Sequence, residues 1–151
     1  MANRSLKGIQ AVFAVIAAAF LPSQTSAAEV PEAWAWKHRL IVVFAPHVED
    51  TDLIAQRSEF ARYQKGFEER HLILLEVVSE AVNTSIGPDL NVSGPDLRDY
   101  ARKTGKHFEI MLFGKDTGIK LRSVKPVSAN EVFALIDQMP MRRDEMRRQE
   151  N

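Results

Sequence analysis

The feature that most limits the fold of this chain is Leu40–Ala45, "LIVVFA". An unbroken apolar run rich in β-branched residues cannot alternate between a wet face and a dry one. A strand made from it must be covered on both sides, as in a sheet with helices packed against each face. Pro46 closes the run. Asp50 or Thr51 then opens a helix, with acids in its first turn where the helix dipole favours them. Leu53, Phe60, Tyr63 and Phe67 recur at helical spacing, with Gln56 the polar member of that stripe and Ile54 and Ala61 widening it. Gly66 is the expected helix end.

The remaining elements follow from similar signals. "LILLEVV" (Leu72–Val78) predicts a second buried strand with one acid, Glu76. Residues 79–95 hold Asn83, Gly87, Pro88, Gly94 and Pro95 and read as a loop. "SGPD" (Ser93–Asp96) resembles a capping box that starts a short helix through Leu97, Tyr100 and Ala101, stopped by Gly105. "FEIMLFG" (Phe108–Gly114) predicts a third strand, "KDTG" a turn, and "IKLRSVKP" a fourth strand whose Lys120 and Arg122 would blunt an exposed edge. "SANE" (Ser128–Glu131) is a capping box before the apolar stripe Val132, Phe133, Leu135, Ile136 and Met139, and Pro140 should end or kink that helix.

The order is β-α-β-α-β-β-α. The first two strands, joined by a helix, should be parallel, and the last two should form a hairpin. This predicts an α/β domain over 39–139 with a central four-stranded mixed sheet and helices on both faces. Residues 29–38 are a lead-in in which Trp34 and Trp36 pack the first segment onto the domain, although an aromatic pair can also stack on sugars. Residues 140–151, "PMRRDEMRRQEN", read as a charged tail forming a solvated helix end, with Asp144 in reach of Arg148.

The N-terminus points to export. Arg4 and Lys7 precede a 13-residue, mostly apolar run, Ile9–Leu21. As a helix the run would span roughly 20 Å, against about 30 Å of bilayer hydrocarbon. "PSQTSAAE" follows, with small residues suited to cleavage after Ala28 or Ala27. Residues 1–28 are therefore expected to be a signal peptide, an uncleaved anchor being the alternative, and the protein periplasmic or secreted, with no membrane association after cleavage. Taking off residues 1–28 removes two basic side chains and no acidic ones, so the remainder is slightly acidic. A basic face for nucleic acid is not indicated. The chain has 0 cysteines, which excludes disulfides, thiol exchange, thiolate metal ligation and cysteine nucleophiles.

"WKHRLIVVFAP", the "FEIMLFGKDTGIKLR" hairpin and the closing amphipathic helix together resemble the P-DUDES family, the thioredoxin-like domain of unknown function 4174 of exported bacterial proteins. The resemblance runs from about Trp36 to Met139. It is similar in turn to domains of animal sushi-repeat extracellular proteins. It implies a thioredoxin-like fold but brings no activity with it. Compared with a redox thioredoxin, the Cys-x-x-Cys would fall on Val48-Glu49-Asp50-Thr51, the buried acid on Val42 and the proline before the third strand on Phe108. None of these parts is present, and Thr51 is better placed to cap a helix.

The same comparison places the loop with His47, Glu49, Asp50 and Asp52 beside the one with Lys106, His107 and Glu109, at one end of the sheet. These residues are the candidate binding face, for an unknown protein or peptide partner. No catalytic residue, cofactor or metal is assigned. The imidazoles and carboxylates could bind Zn²⁺ or Cu²⁺, or serve a cysteine-free enzyme, but the plainer reading is hydrated loop residues and acids serving a helix dipole. His38 and His71, at strand starts, are expected at the opposite end without a role.

Overall fold

The computed structural model describes residues 30–150, so the expected signal peptide and its cleavage site at Ala28 lie outside the described residues. The elements run β1 (Arg39–Ala45), α1 (Thr51–Phe60), α2 (Gln64–Glu69), β2 (Leu72–Val78), β3 (Ala81–Ile86), α3 (Gly94–Tyr100), β4 (Glu109–Phe113), β5 (Ile119–Ser123), α4 (Ala129–Asp137) and α5 (Pro140–Gln149). β1 is buried at every position and lies in the middle of the sheet, as its apolar run demands. It pairs in parallel with β2, from Arg39↔Leu72 to Ala45↔Val78, and antiparallel with β4, from Leu40↔Phe113 to Phe44↔Glu109. β4 and β5 form the expected hairpin.

The sheet has five strands, in the order β3-β2-β1-β4-β5, rather than the four expected. The extra strand, β3, lies inside the segment that reads as a loop. It follows β2 after a turn at Ser79–Glu80, where Ser79 itself takes the left-handed conformation (φ 55°) that usually calls for Gly or Asn. Its residues, "AVNTSI", alternate between exposed and half-buried positions, so only one side touches protein. A polar edge strand after a turn without glycine gives little sequence signal.

Each face of the sheet carries its own core. On one, Ile41, Val43, Leu72, Leu74, Ile110 and Leu112 pack under Leu53, Phe60 and Phe67 of α1 and α2 and Val132, Phe133 and Ile136 of α4. On the other, Leu40, Val42, Phe44, Leu75, Val77 and Phe113 pack under Leu97 and Ala101 at α3 and Val30 and Trp34 of the lead-in. Trp34 meets Tyr100 and Phe113 with ring centroids 5.6 and 5.8 Å apart. Trp36 does not share this role, being 68% exposed. At about 1.5–3 kcal/mol per fully buried large apolar side chain, these two layers hold a fold that has no cysteine to cross-link it.

Several local expectations shift. The first helix breaks at a 3-10 turn, Ala61–Tyr63, and resumes as α2. Gly66 lies within α2 instead of ending it, and a Cβ there would sit 2.6 Å from the Phe133 ring, so close packing rather than a helix stop accounts for the glycine. Asp50, not Thr51, caps α1, accepting from the Asp52 and Leu53 amides. α3 is over by Tyr100, before Gly105. Gln56, the polar member of the α1 stripe, is buried and binds both backbone groups of Val127, at 2.9 and 2.8 Å. Ser93 and Ser128 cap α3 and α4 as expected, their hydroxyls accepting from the Asp96 and Glu131 amides.

The largest change concerns the tail. Pro140 does end α4, but it opens α5, which is not simply solvated. Arg142 is buried and Glu145 bonds Arg39 at the start of β1. Asp144 pairs with Arg147 rather than with the Arg148 side chain, whose Nε donates instead to the Asp144 carbonyl.

Candidate functional site

The two loops expected to form a binding face do lie at one end of the sheet. β1 ends at Ala45, and because Phe44 pairs with Glu109, β4 begins beside that end. Their residues are used very differently. His47 and Glu49 are exposed, with Nδ1 and Oε2 3.8 Å apart, beyond hydrogen-bonding distance. Asp50 is committed to capping α1, and Asp52 lies in the helix's first turn. Lys106 and His107 are exposed. Glu109 is buried, with Lys103 Nζ at 3.2 Å and Arg122 Nε at 3.3 Å, so it is an internal counter-charge. His107 Nε2 stands 4.0 Å from it. His47, Glu49, Lys106 and His107 thus remain as the outward-facing members of the expected set. Among the described residues, no group of three or more His, Cys, Asp or Glu is placed to hold a metal ion.

The same end carries a cleft of about 450 Å³, which sequence reasoning missed. Ala45 and Pro46 line one side, the Ser79–Glu80 turn a second, Arg98 and Asp99 of α3 a third, and Gly105 and Lys106 a fourth. α3 reaches the turn closely, since a Cβ on Gly94 would sit 2.4 Å from the Glu80 carbonyl oxygen. Arg98 donates from Nε and Nη2 to the Ser79 carbonyl, at 3.1 and 2.8 Å, and lies 5.2 Å over the Phe44 ring. The cleft therefore has a guanidinium held on the Ser79 carbonyl, one lysine and two acids in its lining.

A second polar concentration, also missed, lies at the opposite end of the sheet. Glu145 of α5 takes bonds from Arg39 at 3.1 Å and Lys115 at 2.7 Å, with Arg142 at 3.7 Å. Lys115 Nζ is also 2.9 Å from His71 Nδ1. Arg70 binds Asp137 through Nε and Nη2, at 3.0 and 2.6 Å, and lies 4.3 Å over the Phe133 ring. Burial would raise the Glu145 carboxyl, but the bonds from Lys115 and Arg39 outweigh it and hold its pKa below the usual range. Burial, and then the charge of Lys115, lowers His71. Burial likewise lowers His38, helped by His71 and Lys115. His38 and His71 are at this end, as expected, but His71 is part of a network. The one available signal was Arg39, a charge abutting a run buried on both faces.

Among the described residues, no helix is long and apolar enough to cross a membrane. No solved structure matches the chain. One family model matches, that of a domain of unknown function (DUF4174), over residues 31–145. The match takes in the lead-in from Pro31 and α5 as far as Glu145, so both flanks that pack on the sheet fall inside it. Covering most of the sequence from the lead-in to the last helix, it places the chain in the DUF4174 family.

Proposed function

We propose that this protein is an exported, redox-inactive binding module of thioredoxin-like fold, which takes a peptide or protein segment at the C-terminal end of β1. The fold reading is supported by a parallel β1–helix–β2 unit, an antiparallel β4–β5 hairpin and a closing α4, with β3 as an added edge strand. Export rests on the basic, apolar and small-residue succession of residues 1–28. With 0 cysteines the site has no thiol to oxidise or reduce.

The observation that carries the binding reading is the cleft beside Ala45 and Pro46, flanked by exposed His47 and His107. Loops at the ends of a covered sheet are where a rigid scaffold presents recognition groups. Arg98 and Lys106 line the cleft together with Glu80 and Asp99, a mixed-charge margin that suits a zwitterionic chain better than a simple anion or cation. The test is selection of binders from a displayed random-peptide library, followed by measurement on His47→Ala, Lys106→Ala and His107→Ala proteins. Selected peptides should lose about tenfold or more in affinity for at least one of these variants. Unchanged affinity for all three would refute the proposed face.

A further inference from the structure

At the N-terminal end of β1, cations outnumber carboxylates in a largely buried setting. Arg39, Lys115 and Arg142 are 1%, 9% and 5% exposed, and all three stand against Glu145. Arg142 also shares Asp137 with Arg70. Glu69, at 3.8 Å from Arg70, is half exposed and offsets only the outer part of the set. Arg39 Nε is buried without a hydrogen-bond partner. Buried charge that lacks a counter-charge is costly to a fold, and an excess of one sign is a standing attraction for an ion of the other.

A cleft of about 450 Å³ opens directly on this network. Lys115 and Glu145 line it together with Trp36, His71, Met141, Asp144 and Arg148. Two of the three Lys115 N–H donors are engaged, by Glu145 and His71. With Nδ1 accepting from Lys115, a neutral His71 carries its own proton on Nε2. Arg148 commits only Nε, to the Asp144 carbonyl. Trp36 and Met141 are 68% and 39% exposed, an apolar surface beside the Lys115–Glu145 ion pair. Trp36 and His71 both hold left-handed backbone, at φ 63° and 48°, which non-glycine residues adopt at a cost and which clusters where side chains are aimed for a purpose.

We infer that this cleft binds a small aromatic carboxylate, its charged group facing Lys115 and Arg148 and its ring lying against Trp36 and Met141. A monoanion fits better than a phosphate dianion, because Asp144 stands in the cleft wall and repels a second negative charge. The ring supplies affinity that an inorganic ion cannot, through contact with an indole and a thioether. This site lies at the other end of the sheet from the peptide face and does not depend on it.

The experiment is a ¹H–¹⁵N NMR titration of the purified protein with benzoate, benzyl alcohol and inorganic phosphate in separate arms. Benzoate should move the Trp36 indole N–H and the Lys115 and Met141 amides saturably below about 10 mM. Benzyl alcohol and phosphate should each bind about tenfold more weakly or not at all. Arg148→Gln and Trp36→Ala, both on the surface, should each weaken benzoate about tenfold while leaving amides remote from the cleft unmoved. No saturable shift, shifts centred elsewhere, an equal response to either control ligand, or undiminished binding by Arg148→Gln would overturn the assignment.

Discussion

Arg39 Nη1 and Glu145 Oε2 stand 3.1 Å apart across 106 residues of sequence, tying the first strand of the sheet to the last helix. The same carboxylate faces Lys115 and Arg142. Glu145→Ala would leave those cations without it, a loss of about 3–5 kcal/mol of the kind seen when one member of a buried pair is removed. Glu49→Ala, in an exposed loop with no bonded partner, should change stability by no more than about 0.5 kcal/mol. Urea unfolding of the two variants side by side measures the contrast.

Acidification should loosen the same end of the molecule. His38 and His71 have folded pKa values below their ordinary 6.5, so the unfolded chain takes up protons that the folded chain resists. Their contribution is present above about pH 6.5 and is lost as pH falls through the folded values. Glu145, held below its ordinary 4.5, adds a second loss as pH falls from there towards its own folded value. The melting temperature should therefore drop from pH 7 to pH 5 and fall further below it. His71→Gln should flatten the upper part of that profile, which a pH series of thermal melts would reveal.

Phe44 and Phe113 lie on adjacent strands, 0% and 1% exposed, in the core that includes Trp34. Truncating either to Ala should cost about 3–5 kcal/mol, including the cavity left behind. Domains of this size hold about 5–15 kcal/mol in total. Calorimetry of Phe44→Ala and Phe113→Ala should show transitions well below that of the unaltered protein.

The parts of the fold visible in the sequence were those where one residue pattern had one structural outcome. "LIVVFA" had to be a covered strand, and Ser128–Glu131 had to start a helix. β3 was hidden because an edge strand of Ala, Asn, Thr and Ser resembles a loop in composition, and Ser79 made a tight turn without glycine. At the candidate site, the sequence placed His47 and His107 at one end of the sheet and offered Asp50 or Thr51 as the helix start, but gave no hint that Glu109 was spent on Lys103 and Arg122. The α5 network was illegible for a different reason. "MRRDEMRR" is charged at nearly every position, and only the position of β1 relative to α5 decides that Arg142 and Glu145 turn inward.

The central claim, a binding face at the C-terminal end of β1, is tested most directly by ¹⁵N NMR mapping of a library-selected peptide on the purified protein. The account predicts shifts at Ala45 and His47–Glu49, Ser79–Glu80, Arg98 and Lys106–His107, in and next to the cleft lined by Ala45, Pro46, Ser79, Glu80, Arg98 and Lys106. Shifts centred on another face, with these amides unmoved at saturation, would contradict it.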